Sequence, residues 1–316
     1  MNVHMKKAGS KVYYLKLRKK DFLDKIEKGK EILKSCTLCG NNCKVDRLNG
    51  QTGKCGIDSS LWVSSHNLHH GEEPPISGSK GSGTIFMTGC CLQCLFCQNY
   101  PISHLKNGKK VSAEKIASMM ISLKKRGAHN INFVSPTHQG SQIIEGLYIA
   151  AKEGLDIPIV YNSGGYDSIE CLKLFDGIVD IYLPDFKYAD DKIALKYSGV
   201  ENYFATASKG LKEMYRQVGN FIADENEVGI KGLLVRHLVL PEEAANTKKV
   251  FECIRDNISK EIHASIMGQY FPAYKAPGLN GLKRRLTTEE YQKAIDDVLK
   301  LGFHNIYKQD LMLEYH

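Results

Sequence analysis

Past residue 80 the chain alternates between short apolar runs and longer stretches whose apolar residues recur every three or four positions. The runs predict strands over 84–88, 130–135, 157–161, 178–183, 233–238, 263–267 and 304–307. Between them, Ser112 is placed to cap a helix that buries Ile116, Met119, Met120 and Leu123 and stops before Gly127. Thr287 and Glu290 form a capping-box pattern that opens a helix with Tyr291, Ala294, Ile295, Val298 and Leu299 inward, stopped at Gly302. Strand–helix alternation of this kind predicts an α/β fold with parallel strands and crossover helices, wound open or curved into a partial or complete (β/α) barrel.

Ahead of this pattern the chain changes character. Residues 1–35 carry eleven Lys and Arg against four acids, so most of the net charge of +8 sits in this arm. Its periodicity predicts a lead helix over 20–33 with Phe22, Leu23, Ile26 and Leu33 buried and the charges solvated. A polyanion such as RNA, or an acidic protein, is the alternative partner for the arm, but no aromatic–basic RNA module accompanies it. Residues 36–80 are rich in Cys, Gly and Asn and lack a period. The expected organisation is therefore a basic arm or helix (1–35), a Cys-rich metal-binding segment (36–80) and a barrel domain (81–316). Apolar residues at 42% suffice for a core, and no run of ~18 apolar residues suggests a membrane span. The arm lacks the apolar stretch of a secretory signal, so the expected location is cytoplasmic.

Eight of the ten cysteines fall between Cys36 and Cys97. In a reducing compartment clustered thiols bind metal more often than they pair. Cys90, Cys94 and Cys97 follow the first barrel strand as C-x3-C-x2-C, three thiols in one loop, with one position of an iron–sulfur cube left open for chemistry. Cys91, Cys94 and Cys97 also read as C-x2-C-x2-C, the spacing of a ferredoxin-type electron carrier, which keeps a non-catalytic reading open. Adjacent side chains on an extended backbone face opposite ways, so only one of Cys90 and Cys91 can join the other two. Cys36, Cys39, Cys43 and Cys55 supply four more thiols, enough for structural zinc or an auxiliary cluster. His66, His69 and His70 read as surface or packing residues, and Cys171 and Cys253 as core residues.

The C-x3-C-x2-C loop behind a strand resembles the radical S-adenosylmethionine superfamily. More narrowly, the loop, Glu72-Glu73-Pro74-Pro75-Ile76-Ser77-Gly78, the segment from Asp180 to Tyr188 and Arg236-His237-Leu238 resemble a branch related to pyruvate formate-lyase activating enzyme. The resemblance implies a [4Fe-4S] cluster on Cys90, Cys94 and Cys97. It also implies reductive cleavage of S-adenosylmethionine to a 5′-deoxyadenosyl radical, and an electron donor such as flavodoxin or ferredoxin. The radical would abstract hydrogen from a partner enzyme, making a glycyl radical, or from RNA, a peptide or a small metabolite. The same resemblance gives Asp185 and Lys187 to the ribose and methionine side of the cofactor and Arg236 to its carboxylate. Activating enzymes carry Gly-Gly-Glu after the second strand. Here Ser135-Pro136-Thr137-His138 stands instead, leaving Thr137 or backbone carbonyls to meet the cofactor's amino group. Asn162 and the turn Ser163-Gly164-Gly165 follow the third strand, read either as a ligand-facing turn or an ordinary one. Gln269 and Tyr270 are offered for an adenine contact.

Overall fold

The computed structural model describes residues 12–309, so the first eleven residues of the basic arm and the last seven of the chain lie outside the described residues. Among the described residues are ten strands: β1 (Leu61–His69), β2 (Ser82–Met87), β3 (Lys109–Val111), β4 (Ile131–Val134), β5 (Ile159–Ser163), β6 (Ile181–Pro184), β7 (Ile222–Ala223), β8 (Gly229–Leu238), β9 (His263–Met267) and β10 (Ile306–Lys308). The helices are α1 (Lys19–Lys34), α2 (Pro74–Ser77), α3 (Tyr100–Ser103), α4 (Ala113–Lys125), α5 (Gly140–Lys152), α6 (Ile169–Leu174), α7 (Asp191–Ser198), α8 (Tyr203–Val218), α9 (Thr247–Asn257) and α10 (Thr288–Lys300).

β2, β4, β5, β6, β8, β9 and β10 run parallel and lie side by side in chain order. That order is the signature of a sheet wound in one direction with helices returning outside it, the open barrel the pattern predicts. One edge is extended by β1, antiparallel to β2, and by β3, antiparallel to β1. β1 has no counterpart in the strand pattern read from sequence. A bulge between Val63 and Ser65 shifts its register, and one extra residue is enough to break a two-residue alternation.

Capping follows the expected chemistry. Ser112 accepts from the Lys115 N–H, and Thr287 with Glu290 closes a reciprocal box at the start of α10. In α1 the buried stripe is Phe22, Ile26, Gly29 and Leu33, while Leu23, expected inside, is exposed. Residues 22, 26, 29 and 33 lie along one helical face, and Leu23 is about 100° away from it. Gly29 is required there: a Cβ would stand 2.6 Å from Ser141 Cβ, so glycine lets α1 lie directly on α5.

Inside the barrel the inward positions are sorted along each strand. Val160, Ile181, Leu183 and Leu234 form a small apolar cluster with Phe221 and with Ile76 of α2. The next inward residues toward the strand ends are polar: Asn162, Asp185 and Arg236. α2 and the residues before it thus plug the N-terminal end of the barrel, and the chemistry gathers at the other end. There the Cys-rich segment meets the loops. Cys39 bridges Asp167 after β5, Gly40 N–H donates to Tyr166 O, and Ser168 N–H donates to Leu38 O.

Candidate functional site

Three thiols occupy the loop after β2. That loop is fastened on every side: Gln93 and Leu95 N–H donate to Ser198 O and Tyr197 O, and Lys275 N–H donates to Leu95 O. His104 Nε2 donates to Cys94 O at 3.0 Å, and its ring lies 4.6 Å from that of Tyr274. Cys94 Sγ shares a hydrogen bond with Ser198 Oγ at 2.9 Å and Cys97 Sγ with Ser103 Oγ at 3.2 Å; Cys90 Sγ accepts from Leu92 N–H at 3.4 Å. Burial pushes the Cys90 thiol up to about 12, with Cys94 adding to the push. It pushes the Cys94 thiol up to about 11 against the pull of Lys187. Such thiols ionise when a soft metal takes the place of the proton.

Cys91 faces elsewhere. Asn41 Nδ2 spans it and Cys39, donating to Cys91 O at 2.8 Å and to Cys39 Sγ at 3.6 Å, and the proximity of the two thiols pushes Cys91 up and Cys39 down. The loop therefore presents Cys90 with Cys94 and Cys97, and turns Cys91 toward the N-terminal thiols. Cys43 packs its sulfur on Gly53, where a Cβ would stand 2.8 Å away. Among the described residues no three Cys, His, Asp or Glu side chains close around one point as the ligands of a single ion would. The thiolates of a four-iron cluster stand farther apart than those of one ion, and three thiols without a carboxylate, Cys94 buried and Cys90 and Cys97 half-buried, suit iron–sulfur chemistry.

Across the barrel mouth runs a chain of opposite charges. Lys187 Nζ pairs with Asp185 Oδ2 at 2.5 Å, and Arg236 Nε with Asp185 Oδ1 at 2.9 Å. Arg236 continues to Asn162 Oδ1 at 2.7 Å and to Glu72 Oε2 at 3.3 Å. Glu72 Oε1 in turn accepts from Asn132 Nδ2 at 2.9 Å and Asn162 Nδ2 at 3.3 Å. Burial works against the Asp185 carboxylate, but the Arg236 and Lys187 charges outweigh it and hold this carboxyl below its usual range. Next to Glu72, burial drives Glu73 upward, and its Oε2 has no hydrogen-bond partner. Asp185, Lys187, Arg236 and Asn162 are thus brought together.

Thr137 stands apart from them. Its hydroxyl donates to Asp167 Oδ1 at 2.6 Å, and Asp167 also accepts from Tyr161 and Ser163. Thr137 nonetheless lines a narrow cleft with Cys90, Ser135 and Gly164. Ser135 holds a positive φ of 58° at the end of β4, a strained backbone at a strand end. The glycine turn serves packing: Gly165, at φ 74°, lies so close to the Asp185 carbonyl that a Cβ would stand 2.0 Å from its oxygen. Tyr270 donates to Leu282 O at 2.5 Å and sets its ring against Phe96 of the cysteine loop, while Gln269 pairs with Gln309. Reading the sequence missed Glu72 as an individual residue and Asp167 altogether. Glu72 carried a signal, a pair of acids before Pro-Pro, whereas Asp167 carried none.

A family model for the radical SAM superfamily matches residues 84–252. The uncharacterized protein MJ0674 of Methanocaldococcus jannaschii is 34% identical over 299 residues, covering 92% of this chain and 82% of that protein. The pyruvate formate-lyase-activating enzyme of Clostridium pasteurianum is 23% identical over 204 residues, 61% of this chain and 79% of that enzyme. Among solved structures, the FeFe-hydrogenase maturase HydG from Carboxydothermus hydrogenoformans aligns with a TM-score of 0.50 at 11% identity. The alignment covers 71% of this chain and 52% of HydG, so the chain spans about half the length of that structure and the likeness is one of fold.

Proposed function

From the premise that this chain belongs to the radical SAM superfamily, we propose that Cys90, Cys94 and Cys97 hold its [4Fe-4S] cluster and that Arg236, Asp185 and Lys187 hold its S-adenosylmethionine. Enzymes of this family use both groups and draw on an electron donor. When bound, the two groups supply a 5′-deoxyadenosyl radical by one-electron cleavage of the sulfonium.

The observation that carries the reading is the linked array of two cations and their carboxylates at the strand ends, beside three thiols on one fastened loop. Arg236 offers a planar fork suited to the methionyl carboxylate, which would take over contacts that Glu72 and Asn162 occupy. Asp185 is held ionised by Arg236 and Lys187, so it accepts from ribose hydroxyls or an ammonium without needing a proton of its own. Ser198 and Ser103 orient the Cys94 and Cys97 sulfurs.

Hydrogen abstraction from a partner enzyme, leaving a glycyl radical, is the substrate reading we favour. The likeness to the Clostridium pasteurianum activating enzyme supports it. The turn of Cys91 toward Cys39 favours catalysis over a ferredoxin-type carrier built on Cys91, Cys94 and Cys97. The test is anaerobic reconstitution with iron and sulfide, reduction with dithionite, and assay of 5′-deoxyadenosine and methionine. Turnover is expected in the parent and absent in Cys90→Ser. An intact cluster that yields neither product, even with candidate substrates present, overturns the reading. A glycyl-radical signal on a partner enzyme separates activation from other substrates.

A further inference from the structure

Two stretches border the Cys94–Cys97 half of the cysteine loop, and neither holds an acid. Residues 98–111 follow the loop and residues 262–288 reach it from β9; both lack Asp and Glu, and together they carry seven Lys and Arg. Lys110 and Arg284 pair with Asp58 and Glu290, whereas Lys106, Lys109, Lys275, Lys283 and Arg285 form no ion pair among the described residues. The second stretch is seated on the loop by Lys275 N–H donating to Leu95 O, by Gln98 Nε2 donating to Gln269 O at 3.1 Å and by the Tyr270 ring against Phe96.

The two stretches meet in an aromatic cluster. The Tyr274 ring stacks on Tyr100 at 5.1 Å and lies 4.6 Å from His104, and Lys275 Nζ stands 5.3 Å from the centre of the Tyr274 ring. Leu105 and Lys106 follow His104 directly, and Leu105 is 59% exposed, the most exposed large apolar side chain among the described residues. Lys106 and Tyr274 both hold left-handed backbone, at φ 56° and 53°. For a bulky ring that conformation is strained, and strain of this kind collects at binding sites. The surface stands directly behind one of the three thiols: Cys97 Sγ shares a hydrogen bond with Ser103 Oγ at 3.2 Å, three residues before Lys106.

We propose that this surface, with Leu105 and the Tyr100–Tyr274–His104 cluster at its centre and Lys106 and Lys275 at its rim, docks a small acidic one-electron carrier protein. This rests on the reading of Cys90, Cys94 and Cys97 as cluster ligands. Unpaired cations with no acid among them attract and orient an acidic partner. The exposed apolar centre gives that partner a dry contact, and brief redox encounters need only a small one. Electron tunnelling weakens steeply with distance, so a carrier must sit against the face nearest the thiols. A substrate protein must instead reach the Asp185–Arg236 array, where the cofactor is held. In the docked pair the carrier is oxidised by one electron and the thiol-held group is reduced by it, with no bond made or broken.

The test titrates oxidised flavodoxin, and separately ferredoxin, into full-length reconstituted protein, with binding followed by calorimetry. Lys106→Glu is expected to weaken binding about tenfold at low salt. The difference is expected to vanish at about 1 M salt, where the screening length falls to about 3 Å. Leu105→Ser is expected to weaken binding at both. Lys125→Glu makes the same charge change at the end of α4, on the far side of the barrel just before β4, and is expected to leave binding unchanged. In turnover, Lys106→Glu is expected to keep the parent rate with dithionite and to raise the apparent KM for the carrier by a similar factor. A parent that dithionite cannot drive sinks the functional reading, while the titrations still decide the surface. Unchanged carrier affinity in Lys106→Glu, with dithionite turnover intact, overturns the proposal and leaves that reading standing. So does a parent that binds neither carrier, a defect that Lys125→Glu shares, or a defect confined to binding of a glycyl-radical partner enzyme, which would assign the surface to the substrate.

Discussion

Replacing Arg236 by Met tests the charge array at the barrel mouth directly. The guanidinium meets Asp185 at 2.9 Å and Glu72 at 3.3 Å, with Asn162 as a third partner at 2.7 Å. At an effective dielectric near 20, each close ion pair contributes roughly 4 kcal/mol of attraction. Methionine keeps the volume of the stem and removes both pairs, leaving two carboxylates in a site where the side chains are at most 12% exposed. Two things limit the damage: Lys187 still holds Asp185, and the amides of Asn132 and Asn162 still serve Glu72. The expected net loss is about 3 kcal/mol, the low end for breaking a buried pair. Urea unfolding followed by fluorescence of Trp62, the chain's only tryptophan, reads this as a drop in midpoint of about 1 M. Adding Glu72→Gln removes one stranded charge and is expected to recover part of the loss. A single variant within about 0.5 kcal/mol of the parent, or additive effects in the double variant, would refute the argument that these side chains form one coupled network.

Two further outcomes follow from burial. His138 and His237 are each depressed to about 4, first by burial. Their stabilisation is whole above the unfolded value near 6.5 and is lost as pH falls from there toward 4, by up to ~2.7 kcal/mol per pH unit for the pair; a urea midpoint unchanged between pH 7 and 5 contradicts this. Gly165→Ala forces a Cβ onto the Asp185 carbonyl at a positive φ, so a loss of about 2 kcal/mol or more is expected together with weaker cofactor binding. An unaltered melting temperature would show that the turn relaxes freely.

The barrel was legible because its strands and helices each bury a face, and burial imposes a period. β9 matches its predicted range, 263–267, and the caps at Ser112 and Thr287 mark real helix starts. β1 escaped because a bulge spoils its alternation, and Leu23 was misplaced because an apolar residue beside a buried stripe looks like part of it. At the strand ends, Asp185, Lys187 and Arg236 were singled out by the family resemblance, and the fold brings their side chains together. Glu72 was hidden for a topological reason. It lies 164 residues before Arg236, on a plug entering from the opposite end of the barrel, and no local pattern encodes that meeting. The two readings left open for the glycine turn divide in the same way. A close approach was foreseen at Gly164 and Gly165, but at Gly165 the approaching group is the chain's own carbonyl.

One peptide bond joins Cys90 to Cys91, and their thiols serve different neighbourhoods. That geometry demands a loop that does not rotate, since a small twist would exchange the two sulfurs. The fastening is correspondingly dense. Ser198 holds both Cys94 Sγ and Tyr188 OH, the chain after β9 clasps Leu95, and Asn41 grips Cys91 O from the N-terminal segment. These partners come from α7, from the β9–α10 connection and from the Cys-rich segment, so the loop is set only when all three are docked. Ligands fixed by packing before the cofactor arrives hold it with little reorganisation, which suits a centre that must keep a reactive radical away from water. The Cys-rich segment then helps to build the proposed site, because the strand-end loop it grips is the one that carries the three thiols proposed to hold the cluster.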